Sequence, residues 1–424
     1  MTHAAQRGDP RGAAALAPRR LSLEDAERAL LTGNREIRIA RAEADAAASA
    51  IRQADVAPNP TVYASASNTE SGRYGARDSD RIVRIEQTFE RGDKRRLRIE
   101  AATATAEAAR KALDETVRRQ RSALAGGYFA LWAARELESI AAQGAQAYRD
   151  LLAAAERRLA AGDLASIDVV RLRVEVLKAA NEARSARREA EQAEVALIAL
   201  LGEPAEPGFA DAASRGAGGF LPTTRPEEFV AVNPVPDLPP SAERIERVLE
   251  GRADALAARM RVEAAIRAQA LAASQRVRDV TLGLQGERAP AFSGTVFGVS
   301  AAIPLHVNND YSADIARAAA DRAVAEQMLE QTRTAIRADI ARTVSDLSAA
   351  IDRAQSLQRQ ALPDARLAAE GVEFAFNKGA AGITDLFDAR RQLAAIRIEA
   401  VRAQAEHAAA HAAFQAALAI TESK

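Results

Sequence analysis

The chain has 424 residues, 48% hydrophobic, 27% charged and only 4% aromatic, with an apolar fraction dominated by alanine, which builds helix and not a thick core. Its 58 basic and 58 acidic residues are interleaved, which argues against a polyanionic partner such as nucleic acid. The lack of cysteine excludes disulfides, thiolate metal sites and a lipid-bearing N-terminal cysteine.

Residues 1–20 read as a flexible tail. They lack the apolar centre of a signal peptide, and no apolar run in the chain reaches the roughly 18 residues of a membrane-spanning helix. Taken by itself that suggests a cytoplasmic protein. The AAALAP stretch at 13–18 has the small-residue spacing of a cleavage site, so export stays open.

Residues 22–57 begin with Ser22, followed three positions later by Asp25, a capping-box start with aspartate in place of glutamate. Helix is expected until Pro58-Asn59-Pro60 ends it. The hydrophobic period then changes to two. Val83, Ile85 and Phe89 alternate with Arg84, Glu86 and Thr88, and 61–69 is a weaker partner, so a hairpin is expected over about 61–89 with its loop near 70–80.

From about Asp93 to Ala161 the pattern is helical without a break, on the order of 100 Å at 1.5 Å per residue. A glycine turn at Gly162 follows, and then a helix with an alanine-rich seam of Leu172, Val176, Ala179, Ala183, Ala186, Ala190, Ala193, Leu197 and Leu200. These alternate spacings of four and three. Residues 203–243 hold eight of the 15 prolines together with several glycines and read as an extended connector.

The order then recurs. A helix leads to a hairpin over about 279–303, where Val280, Leu282 and Leu284 alternate with Thr281, Gly283 and Gln285, and Phe297, Val299, Ala301 and Ile303 share one face. Its loop is expected at 288–293. A helical pattern runs from about Ser312 to Lys378, interrupted only at Pro363, and a glycine turn at Gly379 opens a last helix whose seam runs from Ala389 to Ala417 with His407 as its polar member.

The recurrence is an internal duplication. RRLAAGDLASIDVVRLRVEV at 157–176 overlies FNKGAAGITDLFDARRQLAA 217 positions later, with Gly162 over Gly379, Asp168 over Asp385 and Arg173 over Arg390. ERALLTGNREI at 27–37 overlies ERVLEGRADAL, and EQTFERGDKRRLRIEAA at 86–102 overlies AAIPLHVNNDYSADIARA. The expected organisation is a tail (1–20), a first repeat (21–202), a connector (203–243) and a second repeat (244–424). Four strands of about 9–11 residues with one apolar face suit a transmembrane barrel, but about eight are needed to close one. Closure therefore requires several chains. Alanine at so many seam positions lets helix backbones approach closely, as in a tubular wall of helices.

Two repeats of helix, hairpin, long helix, turn and helix around a proline-rich connector resemble the TolC family of outer-membrane efflux proteins over roughly 21–421. The turn segment from Arg158 to Val169 and its recurrence with Asp385 carry the resemblance. FERGDKRR at 89–96, IPLHVNND at 303–310 and LPDARLAAE around Pro363 are similar to the branch that serves heavy-metal pumps of the resistance-nodulation-division class. The fold so implied is mainly α with a small β part. Long coiled-coil helices form an α-barrel tunnel, and two hairpins per subunit supply four strands of a trimeric 12-stranded barrel in outer-membrane lipid.

The function so implied is a passive exit duct without enzymatic activity or cofactor, a homotrimer joined through a periplasmic adaptor to an inner-membrane pump. The adaptor is expected to grip the turns at Gly162 to Ser166 and at Gly379, Gly382 and Ile383. The pore constriction is expected at Asp385 and Asp388, with Asp168 and Arg171 at the matching positions of the first repeat. Relatives close this mouth with a tyrosine and an arginine where this chain has Phe376 and Ala381. A link from Asp168 to Arg171 or Arg173 is the expected substitute.

Other features have plainer readings. His407 and His411 lie one helical turn apart but lack the glutamate and third ligand of a zinc site, so they read as seam histidines. His306 reads as structural, and Gly126-Gly127 as a bend or a close helix contact. Asp385 and Asp388 also fit first-turn acids at a helix start. No nucleophile elbow, phosphate loop or acid pair marks an enzyme. Two other readings stay open: a duct for drugs or secreted polypeptides, and a soluble structural coiled coil.

Overall fold

The computed structural model describes residues 19–67, 80–162, 164–202, 219–234, 237–288 and 294–420. In chain order the elements are β1 (Arg19–Leu21), α1 (Leu23–Gly33), α2 (Arg35–Ala54), β2 (Thr61–Ser67), β3 (Asp80–Phe89), α3 (Lys94–Ala160) and α4 (Ser166–Leu201). The connector region holds β4 (Phe220–Pro222) and α5 (Pro226–Val232). There follow α6 (Ala242–Gly251), α7 (Ala253–Ser274), β5 (Val280–Arg288), β6 (Val296–Ala302), α8 (Ser312–Ser356), a π-helical turn (Leu357–Ala361), α9 (Leu362–Asn377) and α10 (Ile383–Ala417). The two hairpin loops expected from the sequence lie for the most part outside the described residues. The chain divides into two compact units, one of Met1–Arg38, Val117–Ile245 and Ala338–Ala419, the other of Ile39–Thr116, Glu246–Arg337 and Ile420–Lys424.

In the first unit Ser22 caps α1 as its sequence predicts: the Ser22 hydroxyl accepts the Asp25 N–H at 3.1 Å. The single helix expected over 22–57 is broken at Asn34, whose extended backbone separates α1 from α2. The Asn34 amide group donates to the Leu200 carbonyl at 2.7 Å and to Gln120 at 3.2 Å, and its oxygen accepts the Ile37 N–H at 3.0 Å. These bonds replace the helical ones that the break removes. Beside it, a Cβ on Gly202 would lie 2.3 Å from the Gly33 carbonyl oxygen, so glycine is needed for the approach of the two chains.

The connector is not simply extended, and the tail expected to end at residue 20 gives its last two residues to a strand. β1 and β4 pair in parallel, Arg19 to Phe220 and Leu21 to Pro222. Tyr128, fully buried on α3, donates its hydroxyl to the Leu21 carbonyl at 2.7 Å and accepts the N–H groups of Thr223 and Thr224 at 3.0 and 2.9 Å. One side chain thus bridges β1 to the two residues after β4, adding to the bond that the Thr223 N–H donates to the Leu21 carbonyl at 2.9 Å. The Glu194 carboxylate, fully buried on α4, accepts the Phe220 N–H and pairs with Arg135 Nη2, both at 2.7 Å. A Cβ at Gly127 would meet Leu197 and Leu200 of α4 at an ordinary 3.8–3.9 Å and one at Gly126 would meet nothing within 4 Å, so the glycine pair lies in unbroken helix without a bend and without a close approach that requires it.

The expected interruption at Pro363 takes a definite form. Proline lacks an N–H, and its ring crowds the carbonyl four residues back. The helix widens to the π turn just before it, and Leu357 packs there with Ala354, Ala400 and Ala403.

The second unit holds one antiparallel sheet of order β2-β3-β5-β6. Its inner strands pair Val83 with Gly286, Ile85 with Leu284 and Phe89 with Val280. One face is apolar and open: Val62, Val83, Ile85, Leu284, Phe297 and Val299 are all more than half exposed. The opposite face carries Arg84, which donates to Gln285 at 2.8 Å, and Thr88, whose hydroxyl lies 2.9 Å from that of Thr281. Sheet and helix are joined at Gly92, whose φ of +70° suits glycine and where a Cβ would lie 2.7 Å from Val277. Next to it the buried Lys94 ammonium pairs with Asp279 at 2.8 Å. His306 meets Tyr311 edge to face at 5.0 Å.

Candidate functional site: the paired helix turns

The two glycine turns of the duplication are built alike. α3 stops because Gly162 turns left-handed at φ +84° and donates its N–H to the Leu159 carbonyl at 3.0 Å. α9 stops because Gly379, at φ +77°, donates to Phe376 at 3.0 Å, and Ala380 then donates to Ala375 at 2.8 Å. This is the usual way of satisfying the last helical carbonyls. A Cβ at either glycine would meet nothing within 4 Å. Backbone conformation, not space, requires glycine there.

Far apart in sequence, the turns share one apolar cluster. Ala155, Val169, Leu172, Ile383 and Phe387 are buried together, with Tyr148, Leu164 and Phe376 packed against them. The Tyr148 and Phe387 rings are 6.0 Å apart, and burial raises the pKa of the Tyr148 phenol. Phe376, at the position where relatives are expected to carry a tyrosine, lends its ring to this packing.

The polar residues singled out by sequence take distinct roles. Ser166 opens α4 with Ala165 before it, and its own side chain is exposed. Asp168 is 24% exposed and lies 3.8 Å from Arg171. Arg173 does not link to Asp168: it pairs instead with Glu156 of α3 at 2.9 Å. Asp385 is exposed and accepts the Gly382 N–H at 3.0 Å, the reciprocal half of a capping box at the start of α10. Asp388 is 67% exposed and lies 3.3 Å from Arg391.

Sequence reading missed two residues, Glu156 and Glu373. Glu373 pairs with Arg390 at 2.9 Å, as Glu156 does with Arg173. The signal was present: each glutamate stands 17 residues before its arginine, 217 residues apart.

His407 and His411 have their rings 6.3 Å apart, and His411 hydrogen-bonds the Asn233 carbonyl that ends α5. Burial lowers the pKa of both. Among the described residues no group of three or more His, Cys, Asp or Glu side chains is placed to hold a metal ion.

Comparison with known proteins completes the picture. The outer membrane efflux protein family matches residues 28–203. The cobalt-zinc-cadmium resistance protein CzcC of Cupriavidus metallidurans is 30% identical over 383 residues, 89% of this chain and 85% of that protein. The chain belongs to the outer membrane efflux protein family. Its fold matches that of other outer-membrane channels. The Campylobacter jejuni CmeC channel superposes with a TM-score of 0.75 at 12% identity, over 93% of this chain and 85% of that one. The open state of the Neisseria gonorrhoeae MtrE channel does so with a TM-score of 0.74 at 18% identity, over 93% and 88%.

Membership in the efflux family makes this a passive outer-membrane channel protein and not an enzyme, and sets aside the soluble coiled-coil reading. Among the described residues no helix is long and apolar enough to cross a membrane.

Proposed function

We propose that this efflux protein is the exit duct for heavy-metal cations in a tripartite system, receiving them from an inner-membrane pump of the resistance-nodulation-division class through a periplasmic adaptor. The name of its relative CzcC, a cobalt-zinc-cadmium resistance protein similar over most of both chains, supports the substrate class. A four-stranded sheet cannot close by itself. Three copies supply twelve strands, with the apolar face of Val83, Ile85, Leu284 and Val299 toward lipid and Arg84 and Gln285 toward the lumen.

The observation that carries the reading is the packing of the two turns into one cluster with Asp385 and Asp388 left exposed above it. Repeated about a three-fold axis, Asp385, Asp388 and Asp168, with Arg171 among them, form the constriction. Carboxylate rings concentrate cations at a narrow mouth. The adaptor grips the turns at Gly162, Ser166, Gly379 and Gly382, with no side chain at the glycines to obstruct it.

The test is growth of a deletion strain on graded zinc, cadmium, cobalt, nickel and copper and on a panel of hydrophobic drugs, with and without the full-length gene. Sensitivity to a subset of the metals, cured by the gene, is the expected result. Sensitivity to drugs with none to metals would keep the duct and overturn the substrate.

A further inference from the structure

We infer that Arg91 and Arg278 together bind the phosphate of an anionic phospholipid in the periplasmic leaflet, at the end of the sheet where strands give way to helices. The two residues are neighbours in space. On one side of them Phe89 pairs with Val280, and on the other a Cβ on Gly92 would lie 2.7 Å from Val277. Both side chains are exposed. Carried two residues past Phe89 and Val280, the alternation of the strands puts them on the apolar face, in line with Ile85 and Phe89 on one strand and Leu284 and Leu282 on the other.

The acids around them are engaged elsewhere. Glu90 accepts from Arg98 at 2.8 Å, Asp93 pairs with Arg96 at 2.9 Å and Asp55 with Arg95 at 2.8 Å. Asp279 takes Lys94 at 2.8 Å and the Arg91 N–H at 2.9 Å, and Asp310 accepts the Ser312 N–H at 3.0 Å. Among the described residues neither the Arg91 nor the Arg278 guanidinium has a hydrogen-bond or ion-pair partner. Two cations side by side repel, and an anion between them removes that cost. Paired guanidinium donors match the oxygens of a phosphate diester. The surroundings favour a lipid over a free anion. Arg276 donates to the Asp310 carbonyl at 3.0 Å and so holds the segment 303–310 beside Arg278, and on that segment Leu305 and Val307 are 70% and 80% exposed. Open apolar side chains next to a pair of cations suit a ligand charged at one end and apolar at the other. β3 and β5 are the inner strands of the sheet, so a copy adding at the edges, β2 or β6, leaves the pair uncovered.

The inference rests on the membrane-spanning reading of the sheet given above. Its test uses the full-length protein in phosphatidylcholine vesicles holding a minor share of phosphatidylglycerol, first checking insertion by protease protection and then measuring the phosphatidylglycerol retained after mild detergent extraction. The wild type should retain about tenfold more than R91Q/R278Q, a variant that keeps the backbone bond from residue 91 to Asp279. R91K/R278K, which keeps the charge but not the paired donors, should fall between them. R187Q/R188Q, which removes the same charge from α4, should match the wild type. Inorganic phosphate at the concentration of the lipid should not compete. Equal retention by inserted wild type and R91Q/R278Q, an equal loss in R187Q/R188Q, or displacement by inorganic phosphate overturns this inference alone. A wild type that does not insert overturns the barrel reading and this inference with it.

Discussion

Arg173 Nη2 lies 2.9 Å from Glu156 Oε1, clamping α4 to α3 just behind the Gly162 turn. The same clamp recurs behind Gly379 as Arg390 and Glu373, at the same distance. Duplication has thus preserved a turn, its glycine and the ion pair that backs it. Both pairs are partly exposed. Each should contribute no more than about 1 kcal/mol. E156Q and E373Q should therefore lower the thermal midpoint slightly in low salt and hardly at all at high ionic strength. A large, salt-independent loss would show that the clamps are not surface pairs.

The turn glycines offer a cleaner contrast. G162A and G379A force a side chain into the left-handed region, costing about 1–2 kcal/mol each although no atom stands in the way. G144A, in the interior of α3 with nothing within 4 Å of the new Cβ, should instead stabilise by up to about 1 kcal/mol. Thermal unfolding of the three variants in detergent checks both signs. A neutral result at Gly162 and Gly379 would remove the conformational argument.

Glu194 ties the connector to the helices. Replacing it with alanine leaves the Phe220 N–H without its acceptor and takes from Arg135 one of two carboxylates, Glu138 staying at 2.9 Å, a loss of about 1–3 kcal/mol set by the orphaned backbone N–H. E194A should open the segment around Phe220 to limited proteolysis, with E194Q intermediate. Equal protection in E194A and wild type would contradict this.

Acid should act on two places in separate windows. His407 and His411 have folded pKa values below their ordinary value of about 6.5 because burial disfavours the charged ring, an effect the Asn233 carbonyl only partly offsets at His411. The unfolded chain therefore binds protons first. Their contribution is present above about pH 6.5 and is lost as pH falls below it. The protection factors of the amide protons in α5, which correct for the intrinsic slowing of exchange in acid, should fall over that range in wild type and not in H407Q/H411Q. Asp279 lies below the ordinary carboxylate value: burial opposes ionisation, but the hydrogen bonds from Lys94 and the Arg91 N–H outweigh it. Its contribution is present above about pH 3.9 and is lost as pH falls through its lowered folded value, so the sheet-to-helix junction should yield only in stronger acid.

Much of this architecture is legible in local sequence because its causes are local. Ser22 with Asp25, the glycines at 162 and 379 and the alternation of Val83, Ile85 and Phe89 each carry their own signal within a few residues. The structured connector was not legible, because what orders it is remote: Tyr128 reaches Leu21 and Thr223, and Glu194 sits in an alanine seam whose periodicity gives no hint of Arg135 on another helix. The break at Asn34 likewise depends on Gln120 and Leu200. At the mouth, the repeat located Asp168 and Asp385 by alignment. Which carboxylate Arg173 would choose was a matter of helix packing, and it chose Glu156.

The most direct test of a cation duct with an acidic mouth is the reversal potential of purified protein in a planar bilayer under a potassium chloride gradient, for wild type and D385N/D388N. The account predicts a cation-selective wild type whose selectivity falls toward zero in the variant. An anion-selective wild type, or a variant with undiminished cation selectivity, would contradict it.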